Sequence, residues 1–216
     1  MSLDTYTNLK AEVADWINRD DLTSVIPTFI TITEAQCNRR LRVRPMITRS
    51  EATLSSEYTA VPTDMLEPAQ LTLEISESDI RFLQFMDPVR LLNEKVGVTA
   101  SGEPIAYTIV GGSIQLLPAP DASYTGELVY YAKIPALADN ATNWLLDIAP
   151  DIYLYGALTA AAPYLADDPR VATWGTLYQT AIADLQQSYR VPSGRLRTEL
   201  PWLTRKSTGF NINRGW

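Results

Sequence analysis

The sequence predicts an α+β protein: a four-helix bundle formed by N- and C-terminal helix pairs, with an inserted antiparallel β module and an extended C-terminal arm. Three observations carry that reading. Apolar residues recur at helical spacing over 4–41 and again over 150–189, while short β-prone runs between turn residues fill the middle. Each helical pair has one apolar face, and packing the pairs together buries both. The charge is also segregated: residues 1–189 carry twelve basic and twenty-four acidic side chains, whereas 190–216 carry six basic and one acidic. The predicted divisions are 1–47 with 143–189 for the bundle, 48–142 for the β module with a short helix near 88–96, and 190–216 for the arm.

The first helix is expected over 4–18, with Leu9, Val13, Trp16 and Ile17 on one face and Lys10, Glu12 and Asp15 off it. Asn18 to Asp21 breaks the pattern. Ser24 is a good N-cap for a second helix that tolerates Pro27 in its first turn. Its stripe is Ile26, Phe29, Ile30, Thr33, Cys37 and Leu41. The short break makes these two helices antiparallel neighbours. The second helix runs into Arg39, Arg40, Arg42, Arg44 and Arg49, with no acid among them before Glu51. Two readings stand side by side: cations complementing a helix C-terminus, or an inter-subunit surface for an acidic neighbour.

From residue 48 the period changes. Strand-like runs fall at 48–54, 58–61, 71–75, 81–85, 105–110, 113–117 and 127–134, and the prolines between them are expected at strand ends, edges or loops. Gly111-Gly112 is a two-residue hairpin signal. In the last run Leu128, Tyr130 and Ala132 share one face. Asp87-Pro88 opens the short helix. Pro150 opens a helix through about 165 with Ile152, Tyr155, Leu158 and Ala162 on one face, and Asp168-Pro169 caps another through about 189 with Val171, Trp174, Tyr178, Ile182 and Leu185 as its stripe.

The arm carries Arg190, Arg195, Arg197, Arg205, Lys206 and Arg214, with isolated apolar anchors at Leu200, Trp202, Leu203, Phe210 and Trp216. Ordering a backbone costs about 1–2 kcal/mol per residue, and burying a large apolar side chain returns roughly 1.5–3 kcal/mol. Five scattered anchors do not offset that cost, so the arm reads as a segment that orders on a partner.

Composition narrows the chemistry. There is no histidine, which removes the commonest general base and metal ligand. No phosphate-cradling glycine loop, zinc spacing or nucleophile elbow occurs, so no cofactor, metal or catalytic residue is expected. The single cysteine, Cys37, falls on an apolar helix face and reads as a buried structural thiol. No apolar run is long enough to span a membrane, and the N-terminus lacks a signal-peptide pattern, so synthesis in the cytoplasm is expected. Net acidity argues against sequence-specific DNA binding. The rival from another class is a cell-wall hydrolase using a carboxylate pair such as Asp147 and Asp151, although that i, i+4 spacing at a helix start is ordinary.

Several segments, in order, resemble the phage adaptor protein family, head-to-tail connector subunits of short-tailed bacteriophages. They are Val13-Ala14-Asp15-Trp16-Ile17-Asn18-Arg19-Asp20-Asp21-Leu22, Ala35-Gln36-Cys37-Asn38-Arg39-Arg40-Leu41-Arg42 with Met46, and Val61-Pro62-Thr63-Asp64-Met65-Leu66-Glu67. Gly102-Glu103-Pro104-Ile105-Ala106-Tyr107, Leu116-Leu117-Pro118-Ala119-Pro120, Asn143-Trp144-Leu145-Leu146 and Pro150-Asp151-Ile152-Tyr153-Leu154-Tyr155 follow. The resemblance covers roughly residues 5–190. It implies a non-enzymatic virion protein: a homo-oligomeric, dodecameric ring under the portal protein, joining it to the tail nozzle or tube, through which genomic DNA passes without specific binding. Another ring protein that completes the tail is the alternative within that class. In such a ring the arginines at 39–49 would face acids such as Asp20, Asp21, Asp167 or Asp168 on the neighbour, and the arm would grip the portal.

Overall fold

Local capping sets the first helix. In the computed structural model, which describes residues 3–76, 79–97, 100–165 and 168–190, α1 spans Tyr6–Ile17. The Asn8 N–H donates to the Thr5 hydroxyl at 3.3 Å, and Asn18 ends the helix in the left-handed region at φ 54°. Leu9, Val13 and Ile17 are buried as their spacing requires, but Trp16 is 38% exposed. Its ring edge meets Tyr155 at 6.1 Å and its indole N–H donates to Glu12, so it lines the flank of the core with its polar edge outward.

The second helix, α2, spans Ile26–Arg40, and all six residues of its expected stripe are buried. Ser24 does not cap it. Val25 holds the N-cap position without a side-chain bond, and Pro27 in the first turn needs no donor. After the β-rich region come α4 (Trp144–Ile148), α5 (Pro150–Ala160) and α6 (Arg170–Ser188). The short α4, unmarked by any period, is capped by Asn143, whose side chain accepts the Leu146 N–H at 2.9 Å.

A one-face stripe does not describe α5. Ile152, Tyr153, Leu154, Gly156, Ala157 and Leu158 are all buried, because α1, α2 and α6 each pack against it. It also stops at Ala160, short of the expected 165, and passes into a 3-10 turn at Ala162–Tyr164. Gly156 permits the approach of α2: a Cβ there would collide with the side chain of Thr33 and press on the Tyr178 ring. Thr33 cannot swing aside, since it is β-branched and its hydroxyl donates to the Phe29 carbonyl at 2.9 Å.

The middle of the chain forms two four-stranded sheets. One has the order β1 (Ile47–Leu54), β8 (Tyr124–Ala132), β3 (Met65–Ser76), β4 (Asp79–Phe82), antiparallel throughout. The other has the order β2 (Tyr58–Ala60), β7 (Ser113–Leu117), β6 (Ala106–Val110), β5 (Gln84–Phe85). Gly111 and Gly112, at φ 59° and 78°, turn β6 into β7 as the hairpin signal requires. The expectation of a purely antiparallel module needs one correction: β5 and β6 are parallel. The helix α3 (Pro88–Lys95), opened by Asp87 as expected, lies between them in sequence and supplies the crossover that parallel strands need. The single run expected at 81–85 is split at Leu83. This buried residue donates its N–H to Leu71 in the first sheet, while the next residue, Gln84, donates to Ile105 beside the second.

Leu54, Leu71, Leu73 and Leu128 from the first sheet and Tyr107, Ile114 and Leu116 from the second share one core. The helices share another, which also takes in Leu41, Val43 and Met46 on the way into the β strands and Ile134 and Leu137 on the way out. Apart from Arg190, the arm expected over 190–216 lies outside the described residues.

The contrast between two glycines tests this packing. Gly156→Val is expected to destabilise the protein by about 2–3 kcal/mol through overpacking against Thr33. Gly175→Ala in α6, where an added Cβ meets nothing within 4 Å, is expected to stabilise it by roughly 0.5–1 kcal/mol. Urea unfolding of the two variants measures both signs.

Candidate interaction surface

The apolar stripe of α2 contains one acid. Glu34 lies four residues after Ile30 and three before Cys37, so helical geometry drives it into the core, where it is 6% exposed. Its carboxylate accepts the Leu137 N–H at 2.8 Å and the Tyr153 hydroxyl at 3.4 Å. Tyr153 in turn accepts from the Asn143 amide at 2.7 Å, and that amide also donates to the Pro135 carbonyl at 2.7 Å. One turn later on α2, Asn38 accepts the Ile134 N–H at 2.9 Å. Four polar side chains thereby fasten the segment returning from β8 to α2 and α5. Burial raises the pKa of Glu34 above the ordinary value, opposed by the bonds from Leu137 and Tyr153 and reinforced by Asp139 nearby. Burial likewise pushes the Cys37 thiol up to about 11, so it stays protonated beside the Tyr178 hydroxyl, 3.8 Å away.

With α2 held this way, its basic end is presented to solvent. Arg39, Arg40, Arg42, Arg44 and Arg49 are all exposed, yet they are not equivalent. Arg42 is tied down: its guanidinium reaches Glu67 at 2.8 Å and the carbonyls of Asn38 and Leu41. Arg40 donates to Gln179 of α6 at 3.0 Å and lies over the Tyr178 ring. Arg49 stands 3.5 Å from Glu127. Arg39 and Arg44 make no ion pair among the described residues.

Gln186 of α6 donates to the Arg40 carbonyl at 2.9 Å, which locks the ends of α2 and α6 together. Between them is a groove of about 520 Å3 lined by Arg40, Arg42, Ala183, Gln186, Gln187 and Arg190. The first residue of the basic arm therefore sits in the same groove as two arginines that lie about 150 positions earlier in the chain. Arg195, Arg197, Leu200, Trp202, Leu203, Arg205, Lys206, Phe210, Arg214 and Trp216 lie outside the described residues.

The acids expected to meet these arginines are already engaged where they are described. Asp21 pairs with Arg19 at 2.5 Å and Asp168 with Arg170 at 2.7 Å, each within the same turn of chain. The side chains of Asp20 and Asp167 lie outside the described set. Among the described residues, carboxylates without an ion pair include Glu51 and Glu74 on the outer face of the first sheet, alongside Asp15, Glu94, Asp139, Asp151 and Asp184 elsewhere. The strand alternation carried that signal, since Leu71 and Leu73 point inward and Thr72 and Glu74 must point outward.

The carboxylate pair considered for hydrolysis does not share a cleft: Asp147 lines a shallow depression with Leu3, Asp4, Leu146 and Pro150, and Asp151 lies outside it. Asp147 and Asp151 are both exposed, and Asp147 accepts from the Thr142 hydroxyl at 2.7 Å. Among the described residues no group of three or more His, Cys, Asp and Glu is placed to hold a metal ion, and no helix is long and apolar enough to cross a membrane.

Residues 4–199 match the family model described as SU10 adaptor protein. No curated protein matches the chain.

The Glu34 junction makes a pH-dependent expectation. Its carboxyl binds a proton more readily folded than unfolded, so its ionisation removes stability as pH rises from the ordinary value of 4.5 through the raised one. Glu34→Gln keeps an oxygen for the Leu137 N–H and removes the charge. It should match the original chain at low pH and exceed it in stability once that window is passed. Glu34→Ala leaves the Leu137 N–H unpaired and should lose about 1–3 kcal/mol. Denaturant midpoints of the three chains from pH 3 to pH 8 check both expectations.

Proposed function

The chain belongs to the SU10 adaptor protein family, a family of bacteriophage adaptors, and from that premise we propose that it is a head-to-tail connector of the virion. Copies of the chain form a ring, dodecameric by analogy with the phage adaptors it resembles, that joins the portal protein to the tail nozzle or tube and surrounds the path of the DNA. Within each copy, residues 1–47 and 143–189 act as a four-helix bundle, 48–142 as an inserted β module and 190–216 as an extended strap.

The observation that carries this reading is the groove at the ends of α2 and α6. It gathers Arg40, Arg42 and Arg190, and the remaining cations and apolar anchors of the arm follow directly from Arg190. A cationic surface continued by a cationic segment suits an acidic partner, which for the arm is the portal. Charge pairing of this kind favours register and partner choice. Repetition around a ring converts weak single contacts into firm attachment. The acidic body, with twenty-four acidic side chains against twelve basic over 1–189, would repel phosphates rather than retain them, so that DNA slides.

Removal of residues 191–216 is the direct test. The truncated chain is expected to keep its cooperative unfolding transition, since both described cores lie before the cut, and to lose portal binding in a pull-down with purified portal. Portal binding at the original strength by the truncated chain overturns the assignment of the arm.

A further inference from the structure

Among the described residues, none packs over the outer face of the β1-β8-β3-β4 sheet. Glu51, Glu74 and Glu127 stand on it, with Ile80 60% and Phe82 72% exposed at its β4 side. Strand register places Glu51 directly opposite Glu127 and Glu74 opposite Ile80. Like charges facing each other across two strands are unfavourable, and Arg49 answers only Glu127. The sheet forms a concavity of about 460 Å3 here. The face is therefore apolar on one side, carries excess negative charge, and is shaped to take a convex element.

A convex element with the opposite character exists in the same chain. The outward face of α2 consists of Thr28, Ile32, Ala35 and Arg39, at helical spacing i, i+4, i+7, i+11, and all four are exposed. A solvent-facing helix stripe normally carries charges of both signs. This one has no acid, an apolar centre with Ile32 41% exposed, and at its end Arg39, which makes no ion pair among the described residues. The one acid of α2, Glu34, points the other way into the core. Covering an open antiparallel sheet with a helix is the ordinary way such a face is buried.

We propose that the outer face of the β1-β8-β3-β4 sheet is the docking surface for the outward face of α2 from a second copy of the chain, with Arg39 set against the Glu51 and Glu74 carboxylates and Ile32 against Ile80 and Phe82. The contact joins two different surfaces, as a ring requires. It rests on the ring reading above and gives that reading its mating faces, in place of the acids around positions 20 and 168.

Full-length chains carrying Ala35→Cys or Thr125→Cys, mixed under mild oxidation with and without portal, test the docking. Thr125 is exposed on the sheet face beside Glu74, and the native Cys37 is buried. A disulfide-linked dimer is expected from the mixture and not from either variant alone. Arg39→Glu is expected to weaken assembly by roughly fivefold per contact, the scale of one exposed ion pair. Adding Glu51→Lys and Glu74→Lys is expected to restore it. Rings seen by native mass spectrometry without the cross-link, or a charge-swapped chain as weak as Arg39→Glu alone, overturn the docking and leave the ring standing. A native chain that forms no oligomer with or without portal overturns both.

Discussion

A buried carboxylate joins the two halves of this protein. Glu34 sits in the helical core with its charge answered by one backbone N–H and one tyrosine hydroxyl. A partly answered buried acid is a costly group, and its raised pKa expresses that cost. What it supplies is position. The segment between β8 and α4 has no regular structure along most of its length, so its backbone groups need partners from elsewhere. Glu34, Asn38 and Asn143 provide them, and Tyr153 ties two of those three together. The location of the β sheets relative to α2, and hence of the open sheet face relative to the basic helix end, follows from this junction.

The surface divides by what its charges already do. Arg19, Arg42, Arg81 and Arg170 are held by acids close at hand. Exposed pairs of this kind add little to stability, but they remove those residues from the set available to a partner. Among the described residues Arg39, Arg44 and Arg90 make no ion pair, and neither do Glu51 and Glu74 on the sheet or Asp15, Glu94, Asp139, Asp151 and Asp184 elsewhere. A protein that works by attachment needs such free groups; of these, Arg39 and Arg44 lie at and just beyond the end of α2, and Glu51 and Glu74 on the open sheet face.

Much of the fold was legible because periodicity is a direct trace of burial. The six stripe residues of α2, the cap at Asp87, and the inward set on β8 all followed from spacing and turn chemistry. Three features escaped for physical reasons. Glu34 shares the face of Ile30 and Cys37, yet a search for apolar residues passes over an acid at a core position. The surroundings of α5 come from three neighbouring helices, and small residues such as Gly156 and Ala157 leave no stripe to read. The parallel pairing of β5 depends on the chain changing sheets at Leu83, a long-range event with no local signature. Of the surface, the arginine cluster was visible as composition. Which arginines are free was not, because that depends on Glu67, Gln179 and Glu127, which fold beside them from distant parts of the chain.

The base of the inserted region has a consequence for how this chain varies. Ile47, the first residue of β1, lies across from Tyr131 near the end of β8, so the path out of the helices and the path back are antiparallel neighbours, about 5 Å apart. To the helical core, what lies between those two positions is close to a tight loop, except at Leu66, which packs on that core, and Glu67, which pairs with Arg42. Strands within it can lengthen, shorten or be exchanged for a different fold while the spacing of α2 and α5 stays as it is. Such a doorway lets evolution, or a protein engineer, rewrite one half of the molecule without renegotiating the other.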